Sequence, residues 1–274
     1  MPRSTYRFFL ASVLLIVVVG LAFWGWKEWK TQEGMVLIPG GFFLMGVEGN
    51  GAPMRLIEDP TGDRQTLHDE RVQHTEQTAA FYIDRYEVTN AQYAKYVFAT
   101  GARAPGGWRG RPLCPEGEED EPVVGINQAE AEAYCKWLGK RLPTEEEWEK
   151  AARGEKGALY PWGNQYERGK ANTWEEGKHK PVSVYEYPGD VSVYQVHGLA
   201  GNVAEWTSTA VQMWTDEVRT VVKGGSWSVD GQEWNLSAQV LSPPFGYMNH
   251  VGFRCAKSVV EDKTNTGEGA FGEP

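Results

Sequence analysis

The stretch Phe8 to Trp26, FFLASVLLIVVVGLAFWGW, carries no charged side chain, and it constrains this chain more than any other feature. At 1.5 Å per residue, about 19 residues span roughly 28 Å, close to the hydrocarbon thickness of a bilayer. A backbone held there must satisfy its own hydrogen bonds, so the segment is expected to be helical despite its valines. Trp24, Trp26 and Trp29 cluster at the downstream end, where aromatic rings favour the interface. A cleaved signal peptide would have a shorter apolar core and a small-x-small cleavage site. Gly20-Leu21-Ala22 is the one weak candidate here, and bulky Phe23 and Trp24 follow it. No cysteine sits just after the run to carry a lipid. The run therefore reads as an uncleaved anchor: 1–7 a cytoplasmic N-terminus, 8–26 a single transmembrane helix, 27–34 a linker. Arg3 and Arg7 precede the helix and Lys27 and Lys30 come after it, so the positive-inside rule alone decides little. So short an N-terminal flank is expected to stay in the cytoplasm. The rest of the chain then sits on the periplasmic or extracytoplasmic face of the inner (cytoplasmic) membrane.

The chain beyond the anchor is long enough for one well-buried core, or at most two small ones. The net charge is −10 and there is no Lys/Arg-rich run. Nucleic acid is therefore not an expected partner, because phosphate binding needs a basic stripe. Residues 116–121, EGEEDE, form the one dense acidic run and read as an exposed loop. The three cysteines, Cys114, Cys135 and Cys255, include no C-x-x-C pair, so neither a zinc ribbon nor a thioredoxin-type motif is present. In an oxidising compartment two could pair and one would remain. His68, His74, His179, His197 and His250 show no H-x-H or H-x-x-x-H spacing.

Met35 to Gly46, MVLIPGGFFLMG, reads as two short strands around a Pro-Gly-Gly break. The polar stretch Val47 to Gln77 reads as a long loop, and Phe81-Tyr82-Ile83 as a strand. Three helices announce themselves by the capping-box pattern, at Thr89-Asn90-Ala91-Gln92, Asn127-Gln128-Ala129-Glu130 and Thr144-Glu145-Glu146-Glu147. In each, a short polar side chain accepts from an early helix N–H, and a Glu or Gln three residues on reaches back. These helices are expected to end near Ala99, Leu138 and Arg153, each just before a glycine. The second is expected to present Ala129, Ala133 and Trp137 on its apolar side. After Gly154 helical periodicity gives way to short apolar runs broken by Gly, Pro and Asn. The class is α+β with much irregular structure, and the polar, Gly-rich 258–274 reads as a disordered tail.

Several segments fit one family in order: MVLIPGGFFLMG, FYIDRYEVTNAQYAKYV, PVVGINQAEAEAYCKWLGKRLPTEEEWEKAARG, YPWGN, GLAGNVAEW, VVKGGSW and VGFRCAK. The chain resembles the formylglycine-generating enzymes, whose superfamily also includes sulfoxide synthases and pyoverdine-maturation proteins. The resemblance covers 35–257 and implies a C-type-lectin-like fold with small sheets, a few helices and extensive coil. It implies that Trp148, Trp162 and Trp206 are scaffold. It also implies that Cys135 and Cys255 are joined in a disulfide, which requires an oxidising compartment.

The generating enzymes oxidise a substrate cysteine with oxygen, using two cysteines that hold copper. Thiolates are needed there because they are soft ligands for Cu(I). The first lies three residues after the serine of the GGS motif and the second five further on. Here those positions hold Val229 and Trp234, so copper is not expected. The three-histidine iron site of the sulfoxide synthases comes mostly from an additional N-terminal domain, and here the residues before Met35 read as anchor. The resemblance further implies calcium. Gly201 and Val203 match carbonyl ligands and Glu205 the carboxylate, while the usual Asp or Asn three residues before Gly201 is Gly198. A second calcium is suggested by Asn172 and Thr173, with its later ligands falling in a shortened loop at Glu175, Glu176 and Gly177.

Three functions are consistent with this. The first is a non-catalytic, membrane-anchored scaffold, accessory or assembly subunit of a membrane or periplasmic complex, with protein partners. The second is a metal-dependent oxidoreductase of altered chemistry acting on a periplasmic protein or peptide. The third is a ligand-binding module with an aromatic groove drawn from Trp227, Trp234, Pro243, Pro244, Phe245 and Tyr247. The double loss at Val229 and Trp234 favours the first.

Overall fold

The computed structural model describes residues 33–49, 55–58, 65–69, 71–108, 113–213, 215–232 and 234–259. The expected anchor, 8–26, lies outside them. Among the described residues no helix is long and apolar enough to cross a membrane.

Strand β1 (Met35–Ile38) and β2 (Gly41–Met45) flank the Pro-Gly-Gly break as expected, yet they join different sheets. Within the stretch read as a loop lie β3 (Arg55–Glu58), β4 (Gln65–Asp69) and β5 (His74–Thr78). This corrects the loop reading of 47–77. Of these, β5 alternates half-buried and exposed positions with mostly polar residues, so it lacks the apolar period that would reveal it. After β6 (Phe81–Asp84) come the helices α1 (Asn90–Thr100), α2 (Gln128–Trp137) and α3 (Glu145–Arg153). All three capping boxes are formed, with the N-cap side chain and the N3 side chain each satisfying a backbone N–H. Helix α1 stops because Gly101 adopts a left-handed conformation, φ 71°, that frees its N–H for the Val97 carbonyl. The face of α2 turned to the core is Ala131, Tyr134 and Cys135; Ala129, Ala133 and Trp137 are exposed.

Five more strands complete the order: β7 (Ala204–Gln212), β8 (Val218–Lys223), β9 (Gln239–Ser242), β10 (Val251–Gly252) and β11 (Ala256–Ser258). They build a six-stranded sheet, β10-β7-β8-β9-β4-β3, antiparallel except for β10 against β7, and a three-stranded sheet, β1-β6-β11. A third sheet pairs β2 with β5. Ser258 faces Phe81 across the β11–β6 pair and its hydroxyl accepts from Arg141. The α+β reading holds.

One core cluster packs α1 and α2 against β7 and β10 through Tyr93, Tyr134, Trp206 and Phe253. Tyr93 and Tyr134 stack at 5.4 Å, and Phe253 meets Tyr134 edge-on at the same distance. The Cys135–Cys255 disulfide lies inside this cluster, with Cα atoms 5.7 Å apart. It fastens α2 to the last strands, closing a sequence separation of 120. A second cluster surrounds Trp148 of α3. Beside it the buried Glu149 carboxylate accepts from Lys223 (2.8 Å), Arg153 and the Gly46 amide (2.7 Å), so separate strand and helix segments meet on one charge.

Candidate functional site

The chain from Gly198 to Glu205 leads into β7, and it is here that Gly201, Val203 and Glu205 were expected to gather calcium. Glu205 is buried at the start of β7 and both of its oxygens are occupied. Oε1 accepts from Arg254 Nη2 at 2.7 Å; Oε2 accepts from Arg254 Nε at 2.7 Å and from Trp148 Nε1 at 2.8 Å. A bidentate pair of this kind matches the planar fork of a guanidinium to a carboxylate. With three donors already on it, Glu205 does not fit the role of a calcium ligand. Gly198 has φ 68°, and a Cβ there would fall 2.6 Å from Cδ of Glu87. The Glu87 carboxylate thus fills the space beside the backbone where the family would place a liganding side chain.

Glu87 is buried, with Oε2 lacking a hydrogen bond and 3.9 Å from Arg254 Nη2. Burial pushes its carboxyl up to about 8, against the opposing pull of Arg254. Asp190, equally buried, is pushed up to about 7 by desolvation although its carboxylate accepts from the Ala200 amide. Asn202, in the left-handed region at φ 65°, ties this corner together. Its Nδ2 donates to Glu87 Oε1 at 3.2 Å, and its Oδ1 accepts from the Val182 amide at 2.9 Å and from Asn172 Nδ2 at 3.2 Å.

Asn172 thereby joins the two expected cation positions. Its Nδ2 has two acceptors, Asn202 Oδ1 and the Lys180 carbonyl, which fixes the amide's orientation. Its Oδ1 is buried without a hydrogen-bond partner. An orphaned amide oxygen costs free energy unless an ion or water meets it, so Asn172 fits a cation where Glu205 does not. The nearby carboxylates are engaged elsewhere: Glu175 accepts from Tyr166 and from the Gly231 amide (3.0 Å), and Glu176 from the Gly169 amide (3.0 Å).

Val229 and Trp234 both sit half-buried in the loop after β8. The Val229 carbonyl accepts from the Trp174 amide at 2.9 Å, and Gly231 is held by Glu175. Upstream, the buried Ser226 and Ser228 hydroxyls are 2.8 Å apart. The GGS turn is tight for a physical reason: a Cβ at Gly225 would run into the Ala200 carbonyl. This loop contains no thiol, and the other cysteines cannot supply a pair. Cys135 and Cys255 are bonded to each other; Cys114 packs beside the first core cluster, and burial, with Glu119, Glu118 and Glu121 nearby, pushes its thiol up to about 11.

The remaining candidates are dispersed. Trp227 is buried rather than lining a groove, while Phe245 is 75 % exposed and Tyr247 lies under Arg103 at 4.5 Å. His197 stacks on Tyr86 at 4.8 Å and His179 tilts against Trp174 at 4.1 Å, on different segments. Among the described residues no group of three His, Cys, Asp or Glu side chains is placed to hold a metal ion. Sequence reasoning missed Glu87, Asp190, Asn202 and Arg254. The signal for Arg254 was there: a guanidinium inside the apolar run Val251-Gly252-Phe253-Arg254-Cys255 must find a buried acid.

Comparison with known proteins identifies the family behind this framework. The sequence-family model described as "Sulfatase-modifying factor enzyme 1-like domain" matches residues 25–259. The mouse (Mus musculus) protein named "Inactive C-alpha-formylglycine-generating enzyme 2" is 32% identical over 294 residues, covering 85% of this chain and 88% of the mouse protein. The formylglycine-generating enzyme of Thermomonospora curvata is 32% identical, over 83% of this chain and 94% of its own length. Among solved structures, PvdO from Pseudomonas aeruginosa superposes with a TM-score of 0.64 at 23% identity, covering 82% of this chain and 94% of PvdO, a likeness of fold. The chain belongs to the sulfatase-modifying factor enzyme 1-like family, that of the formylglycine-generating enzymes.

Proposed function

We propose that this protein is a non-catalytic member of its family, a membrane-anchored scaffold or accessory subunit of a membrane or periplasmic complex. The observation that carries this reading is the pair Val229 and Trp234. A valine and an indole offer no soft ligand to Cu(I), and no other pair of thiols is free to replace them. The mouse relative whose name marks it inactive supports the same reading. The anchor read at 8–26 would keep the domain beside membrane partners, and the Cys135–Cys255 disulfide suits an oxidising compartment.

The reading has two parts that fail separately. Protease added to intact spheroplasts is expected to digest the domain while sparing the anchor; full protection of the domain would reverse the orientation. The full chain isolated in mild detergent is expected to co-purify with membrane or periplasmic proteins in fixed ratio, and to carry no stoichiometric copper or iron. A chain that purifies alone with one redox metal per molecule would replace this reading with the oxidoreductase.

A further inference from the structure

Arg254 is buried in the middle of the domain, and its guanidinium collects six oxygen atoms. Two belong to Glu205, both at 2.7 Å. Four are backbone carbonyls: Asp84 and Arg85 at 3.2 Å from Nη1, His197 and Gly198 at 2.7 and 3.2 Å from Nη2. A carboxylate and a ring of carbonyls is the donor set that a calcium ion gathers in proteins. Here a planar cation stands at its centre. The guanidinium has five N–H groups, and these six oxygens take all of them.

A divalent ion at Glu205 would have to displace Arg254 or sit beside it. Displacement would strand a guanidinium that is fully buried, and a neighbouring site would set two cations a few ångströms apart in a medium that screens poorly. Gly198 closes the other approach. A side chain there cannot be accommodated, because the Glu87 carboxyl carbon already lies 2.6 Å from its Cβ position.

We infer that at this corner the Arg254 guanidinium takes the place of a divalent cation, so that the junction of β6, the Gly198 turn and β7 folds without metal. The two expected cation positions then differ in kind. The Glu205 corner is closed by an internal charge, whereas Asn172 keeps a buried oxygen that lacks a donor.

The test is Glu205→Gln in the full detergent-purified chain, melted in excess EDTA and in millimolar calcium. Gln keeps the shape and removes the charge that faces Arg254. The expected result is a lower melting midpoint, shifted by the same amount in both buffers. If calcium raises the midpoint of the unmodified chain and Glu205→Gln abolishes that rise, Glu205 is a metal ligand and the inference fails. Should Glu205→Gln not fold, calorimetric titration of calcium into the unmodified chain and into Asn172→Ala decides. No binding, or binding lost with Asn172→Ala, agrees with the inference; binding that persists in Asn172→Ala overturns it.

Discussion

The corner around Arg254 and the loop from Ser226 to Trp234 have opposite relations to the family's chemistry. At the corner the charged groups are matched: Glu205 holds Arg254 and Trp148, and Asp84 accepts from Lys140 (2.6 Å) and from the Cys255 amide (3.0 Å). In the loop, backbone carbonyls and glutamate contacts fix the course of the chain, and Val229 and Trp234 stand where the resemblance implies the family's copper-binding cysteines. The framework is therefore maintained by interactions that need no substrate, and on the proposed reading the chemical step lacks the ligands it requires. On that reading folding and catalysis use different residues, so one can be removed while the other persists.

The sharpest way to break that contrast is at the corner. Arg254→Met is expected to destabilise the domain by about 3–5 kcal/mol, because Glu205 would remain buried as an unpaired charge with four carbonyls losing their donor. Urea unfolding followed by tryptophan fluorescence measures it; a loss below about 1 kcal/mol would show that the corner is not the framework's anchor. Next comes the disulfide. Replacing Cys135 and Cys255 together by Ser is expected to cost about 2–5 kcal/mol, since the crosslink closes a long loop of the unfolded chain. Non-reducing peptide mapping of the unmodified chain should recover Cys135 joined to Cys255 and leave Cys114 out of that bond.

A smaller effect is expected from pH. Glu87 is held up to about 8 by burial, so the folded chain keeps a proton that the unfolded chain releases near the ordinary carboxyl value of 4.5. Proton binding is then greater in the folded state between those limits, and stability falls as pH rises from about 5 to 8, levelling above that. Asp190, pushed up to about 7, acts in the same direction. Urea midpoints at several pH values should show a shallower slope in Glu87→Gln than in the unmodified chain; an unchanged slope would mean that Glu87 is ionised in the fold. The smallest effect belongs to the loop. Val229→Cys is expected to change stability by no more than about 1 kcal/mol, as a half-buried exchange of similar volume.

How far the sequence reveals this depends on whether the signal is local. The three helices were legible because a capping box is written within four residues, and each formed as read. The disulfide and the family were legible from ordered segments, not from any single one. β5 was hidden because its pairing with β2 is non-local and its own residues, His-Thr-Glu-Gln-Thr, carry almost no apolar pattern. β7 begins with four consecutive buried residues and then alternates, so neither period describes it. The apolar side of α2 was misjudged by the pull of Trp137, which covers Tyr96 at 5.5 Å from the rim while Tyr134 fills the core. The Glu87–Asn202–Asn172 chain joins segments up to 115 residues apart and has no sequence signature.

The central claim is that this framework does not perform the copper chemistry of its relatives, and one experiment addresses it directly. The purified full chain, supplied with copper and a reductant, is incubated with a cysteine-containing sulfatase-type peptide, and the peptide is read by mass spectrometry. The account predicts an unmodified cysteine at every time point, because Val229 and Trp234 cannot hold Cu(I) and the thiols of Cys135 and Cys255 are joined. Formylglycine in the peptide, produced by the unmodified chain and absent without it, would contradict the account.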